Sequence, residues 1–123
     1  MSLRSAVHHA LASADEVAAD EERVEAVRLG AGCSAVSDLT ARRRGSAAGV
    51  LRSVVLRPRE GVPTVEAELY DGSGSLDLVW LGRRTIAGVE PGRRIRVEGM
   101  VCEAGGRRTM FNPRYELRPR AGE

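Results

Sequence analysis

The sequence predicts a mainly β fold: a small five-stranded Greek-key barrel in the order β-β-β-short connector-β-β, preceded by an α-helical extension. Three observations predict it. Residues 67–99, AELYDGSGSLDLVWLGRRTIAGVEPGRRIRVEG, read as strand, tight turn, strand, short connector, Pro-Gly turn and strand. A long apolar segment precedes that stretch, and another, interrupted by Pro113, follows it. The central segments alternate apolar and polar residues with period two, as half-buried strands do.

Each element has its own grounds. The first strand is expected over 46–57, with apolar residues in pairs (Val50-Leu51, Val54-Val55) where strict alternation would separate them. Such pairing calls for a bulge or strong coiling, as closing a barrel requires. Pro58-Arg59-Glu60-Gly61 is a loop. The second strand, 63–70, sets Val65, Ala67 and Leu69 on one face and Glu66, Glu68 and Tyr70 on the other. Asp71-Gly72-Ser73-Gly74 is a hairpin turn of residues that tolerate positive φ. In the third strand, 75–81, Leu76, Leu78 and Trp80 form the core face, while Asp77, Val79 and Leu81 face the other way. The connector 83–89 has room for one or two helical turns, and Glu90-Pro91-Gly92 turns the chain. The fourth strand, 93–103, aligns Ile95, Val97, Gly99 and Val101, and Gly99 is expected to mark a close backbone approach. Gly105-Gly106 leads into a fifth strand, 107–112, which Pro113 interrupts and Tyr115 and Leu117 resume. Proline donates no ladder bond, so that region is expected at an edge.

Residues 1–43 read as a helical extension and connector, 44–119 as the barrel, and 120–123 as a flexible C-terminus. Leu3, Val7 and Leu11 outline a short helix over 2–11. Ser13 and Glu16 form a capping box for a second helix over 14–29, with acids in its first turns, Arg28 in its last and Gly30 just beyond. Its apolar face is thin: Val17, Val24 and Val27. In the connector, Val36 and Leu39 are placed to tuck against the barrel.

At 123 residues the chain is one domain with a modest core. Its 42% apolar content fits a globular protein, and no run approaches the roughly 18 residues of a membrane span. His8 and His9 break the apolar stretch of the N-terminus, so no secretory signal is read. A cytoplasmic location without a membrane partner is the expectation. Cys33 and Cys102 are neither a C-x-x-C pair nor near a histidine, so no metal site is expected. Net charge is +2, but residues 1–40 carry three arginines against seven acids and residues 41–123 sixteen against ten. The extension is acidic and the barrel basic, which suits a polyanionic partner. There is no lysine, and arginine is the stronger residue for phosphate and base stacking. The Ala, Gly, Val and Arg enrichment runs through the whole chain, so composition alone weighs little.

The strand order, with D-G-S-G before the third strand and E-P-G-R-R-I-R-V-E-G leading into the fourth, resembles an OB-fold of the bacterial nucleic-acid-binding type. The tail GGRRTMFNPRYEL resembles the end of the OB wedge domain of branched-DNA helicases. Closer still, the chain resembles the small stand-alone OB-fold proteins of actinobacteria, named for nucleic-acid binding by fold and without an assigned reaction. The resemblance spans about 44–119. It implies an OB barrel and a nucleic-acid partner, and nothing about the extension.

No catalytic constellation is present. There is no Ser-His-Asp ordering, no H-E-x-x-H and no P-loop lysine, and Glu66 and Glu68 are two apart on an exposed strand face. The expectation is a non-enzyme without cofactor or small-molecule substrate. OB barrels bind on the face of strands two and three with the first-second and fourth-fifth loops. That assigns Arg57, Arg59, Arg107 and Arg108 to the loops, with Arg83 and Arg84 from the connector, as phosphate contacts. Bases need platforms, and the chain has four aromatics: Tyr70, Trp80, Phe111 and Tyr115. Strand phase gives Trp80 to the core and leaves Tyr70, with Phe111, as the stacking candidates. One stacked base contributes roughly 1–3 kcal/mol, so binding to single-stranded DNA or RNA is expected to be micromolar or weaker and strongly salt-dependent. The alternative is a protein-interaction or self-assembling module, in which the acidic helix could also mask the basic groove.

Overall fold

A computed structural model of the protein describes Ala19, Arg23 and residues 32–119. Six strands form one sheet: β1 (Arg44–Leu56), β2 (Thr64–Tyr70), β3 (Ser75–Leu81), β4 (Arg94–Ala104), β5 (Arg107–Phe111) and β6 (Arg114–Leu117). Five of them close into a ring in the order β1-β2-β3-β5-β4, because β1 pairs with both β2 and β4. Every pairing in the ring is antiparallel except β3 with β5. This is an OB-like barrel.

β1 makes closure work. Its first half pairs with β4 and its second with β2. The register skips a residue between Leu51 and Ser53, so Arg52 forms a bulge. That extra residue accounts for the paired apolar positions, since Leu51 is buried whereas Val55, on the shifted phase, is 42% exposed. Gly49 lies just before the bulge, and a Cβ there would overlap the Tyr70 carbonyl oxygen. At Gly99 a Cβ would meet Pro113 at an ordinary 3.5 Å. The close approach expected at Gly99 is therefore found at Gly49, where β1 passes from its pairing with β4 to its pairing with β2.

The core follows the predicted phases. Val65, Ala67 and Leu69 of β2, Leu76, Leu78 and Trp80 of β3, and Ile95, Val97 and Val101 of β4 are all buried. Val36 and Leu39 close onto it from the segment before β1, and Ile86 and Val89 from the connector between β3 and β4. That connector contains turns, closed by Val89 N–H on Ile86 and Arg93 N–H on Glu90, rather than helix. Among the described residues β6 is the edge strand, paired with β4 alone, and it continues the line of β5 beyond the Asn112-Pro113 break. Trp80 secures that break: its indole N–H donates to the Pro113 carbonyl at 3.2 Å, and Tyr115 stands edge-on to its ring at 5.8 Å.

The β2–β3 hairpin turn is more than a turn. Asp71 is fully buried. One carboxylate oxygen accepts from Ser73 N–H, Ser73 O–H and Gly74 N–H. The other accepts from Val36 N–H at 2.9 Å and from the Arg23 guanidinium at 2.8 Å. The helices expected over 2–11 and 14–29 lie outside the described residues, apart from Ala19 and Arg23, both of which are helical. Both pack on the hairpin: a Cβ at Gly72, whose φ is +88°, would overlap the Ala19 carbonyl. Residues 120–123 also lie outside the described residues.

Candidate functional site

The outward face of β1, β2, β3 and β5 carries the site. Strand registers arrange its side chains in rows. Ser53, Glu68, Asp77 and Thr109 form one row, and Val55, Glu66, Val79 and Phe111 the next. Tyr70 and Ser75 lie one row toward the hairpin, and Thr64 and Leu81 one row away from it. A groove of about 340 Å³ runs over this face, with Arg57 and Arg59 at the β1–β2 loop end and Ala104 and Arg107 at the β4–β5 end. The first loop folds back through a tight turn in which Glu60 and Gly61 both have positive φ and Arg59 bridges to Val62. That turn brings the Arg59 side chain over β2.

The groove is internally paired. Arg59 donates to one Glu66 oxygen through Nε at 2.9 Å and Nη2 at 2.6 Å. Arg57 lies 3.7 Å from the other Glu66 oxygen. Arg107 grips Asp77 with a two-bond fork, 2.7 Å from Nε and 2.9 Å from Nη2, and reaches Glu68 at 3.3 Å. The hydrogen bonds and charge of Asp77 raise the already high pKa of Arg107, so this guanidinium is charged at any ordinary pH. Three arginines and three carboxylates line the groove, so its formal charge is zero. The arginines are the outer layer: Arg57, Arg59 and Arg107 keep 67%, 46% and 53% of their side-chain surface exposed, against 18%, 29% and 30% for Glu66, Glu68 and Asp77.

The other residues singled out from the sequence are distributed differently. Phe111 faces outward beside Val79 and is 38% exposed, at the margin of the groove. Tyr70 is on the same face, but the Arg52 guanidinium lies over its ring, 3.3 Å from the centroid. Arg108 points away from the groove, and its guanidinium donates to the Leu39 and Ser37 carbonyls, fastening the segment before β1. Arg83 and Arg84 are exposed on the connector and do not line the groove.

The clamping carboxylate Asp77 and the stacked Arg52 join the face beyond the residues expected from the sequence. Asp77 had a signal: a four-residue hairpin at 71–74 pairs Tyr70 with Ser75, which puts Glu68 opposite Asp77. Arg107 reaches that pair through the parallel β3–β5 contact, which has no local sequence signature. Among the described residues no cluster of His, Cys, Asp and Glu could hold a metal ion, and Cys33 and Cys102 are free half-buried thiols. No described helix is long and apolar enough to cross a membrane.

A closed five-strand ring with a loop-bounded groove on its β2–β3 face defines an OB-like module. Among solved structures, the solution NMR structure of the replication factor A related protein from Methanobacterium thermoautotrophicum shares this fold, with a TM-score of 0.53 and 15% sequence identity. The match covers 70% of this chain and 90% of that one. No protein-family model and no curated protein matches the chain.

Proposed function

We propose that this chain is a non-catalytic nucleic-acid-binding module that takes single-stranded DNA or RNA across the groove, weakly and with little sequence preference. The observation that carries this reading is the groove itself. It lies on the face and between the loops where OB barrels take their ligands, and it presents Arg57, Arg59 and Arg107 outward. A replication factor A related protein shares the fold. Exposed ion pairs are worth only about 0–1 kcal/mol, so their arginines can be shared with an incoming ligand. Fluorescence anisotropy with short labelled single-stranded DNA and RNA at low salt tests the reading. Micromolar or weaker binding is expected, reduced about tenfold by Arg59→Ala or Arg107→Ala. A folded protein that binds neither oligonucleotide overturns it.

A second reading, a protein-interaction module, is favoured by the compensated charge of the groove and by exposed Val55, Val62, Leu81 and Phe111 on or beside this face. Sedimentation of the isolated chain checks its self-assembling form. Concentration-dependent association lost with Phe111→Ser and Leu81→Ser would support it.

A further inference from the structure

Three residues in alternation on β2, Glu66, Glu68 and Tyr70, each hold a guanidinium. Glu66 holds Arg59 through two hydrogen bonds to one oxygen. Glu68, with Asp77 opposite it, holds Arg107. Tyr70 carries Arg52 flat enough on its ring for a 3.3 Å approach to the centroid. Three planar cations from three separate segments (the bulge in β1, the first loop and the start of β5) are thus attached to alternate residues of a single strand.

We propose that these three guanidiniums form a ladder of base-stacking platforms, taking the part that aromatic rings play in other single-strand-binding barrels. The inference rests on the single-strand reading above and states how that groove, together with the Arg52–Tyr70 pair on the same face toward the hairpin, would hold its ligand. Four points of geometry and chemistry support it. First, guanidinium planes stack on bases as aromatic rings do. Second, each plane is fixed by a partner, the Asp77 fork most firmly, so little side-chain freedom is lost when a base lands on it. Third, the anchors at 66, 68 and 70 step along β2 by two residues, roughly 6.6 Å each. One nucleotide of an extended single strand spans a step of that size. Fourth, the carboxylates beneath the arginines oppose the alternative: a phosphate drawn to Arg59 or Arg107 would come close to Glu66, Glu68 or Asp77, whereas a neutral base would not. The scarcity of aromatic residues on this face ceases to be an obstacle, because the platforms are supplied by arginine.

This arrangement changes the expected salt response. Arginines already neutralised by carboxylates release few counterions from the nucleic acid, so the dependence of affinity on salt should be shallow. That replaces the steep dependence expected from sequence alone.

The test compares two ligands, a salt series and three kinds of substitution on the full chain, with circular dichroism confirming the fold of each variant. Wild-type protein is titrated with a single-stranded oligonucleotide, with an abasic strand of equal length and charge, and with the oligonucleotide across a salt series. Arg107→Lys and Arg59→Lys keep the charge but remove the plane and the fork. Platforms predict that the abasic strand binds at least tenfold more weakly. They also predict that each lysine variant loses about as much affinity as the corresponding alanine variant. Asp77→Asn, which loosens the Arg107 fork, should weaken binding several-fold. Equal binding of the abasic strand, with lysine variants close to wild type and Asp77→Asn binding more tightly, identifies phosphate contacts and overturns the ladder while leaving the single-strand reading intact. Absence of binding by the wild-type protein to any strand overturns both.

Discussion

Asp71 shows how much a single residue can organise. Its buried carboxylate satisfies the hairpin's own amides, the Val36 N–H of the segment before β1 and the Arg23 guanidinium. Four of its five donors come from the barrel and its flanking segment, and the fifth, Arg23, keeps about a third of its side chain exposed. Asp71→Ala leaves the buried Val36 N–H without its partner and should cost at least the roughly 1.5–3 kcal/mol of one charge-assisted hydrogen bond. Arg23→Ala leaves those bonds in place and should cost under about 1 kcal/mol. Urea unfolding of the two variants measures the difference, and equal losses would contradict this division. Asp71 was legible as a turn residue, because D-G-S-G is a local signal. Its burial and its reach to Arg23 were not, since both depend on segments 35 and 48 residues away.

At the scale of elements, β1 decides the barrel's closure. One strand serves two partners only if it bends sharply, and the Arg52 bulge with Gly49 beside it provides the bend. Gly49→Ala would drive a methyl group into the Tyr70 carbonyl, part of a backbone that cannot step aside. A loss of about 1–3 kcal/mol is expected. Gly99→Ala has ordinary contacts only, and its effect should lie within about 1 kcal/mol of zero, with reduced freedom of the unfolded chain acting in its favour. Thermal melts of both variants check this ordering. Strand positions and phases were readable because period-two patterning is local: the strand expected over 75–81 is Ser75–Leu81, and its Trp80 is core as read. The glycine on which closure depends is not legible in the sequence, because a close approach is a property of two strands and only their register reveals it.

For the molecule as a whole, the two arginines of the β4–β5 loop end separate stability from binding. Arg108 fastens the segment before β1 to the barrel, and Arg107 lies in the groove. Arg108→Ala should lower stability by on the order of 1 kcal/mol and leave oligonucleotide affinity nearly unchanged. Arg107→Ala should do the reverse, with binding weakened about tenfold and the melting temperature nearly unmoved. Melting curves and anisotropy titrations on the same two variants read both effects, and a shared loss of binding would return Arg108 to the site. Adjacent residues on a strand face opposite sides, so their roles divide even though sequence reading grouped them as one basic pair.

The sequence by itself determined the class of fold, the order and phase of its strands, the core position of Trp80 and the outward position of Glu66, Glu68 and Tyr70. These follow from alternation, turn chemistry and proline, which act over a few residues. Tertiary structure alone decided which arginines meet which carboxylates. Arg59 folds back over Glu66 through a turn at 60–61, Arg107 reaches Asp77 through a parallel pairing of distant strands, and Arg52 is laid on Tyr70 by a bulge. A guanidinium has the same charge wherever it stands. Whether it is free for phosphate, fixed as a plane or spent on a backbone carbonyl depends on partners that only the closed barrel brings within hydrogen-bonding distance.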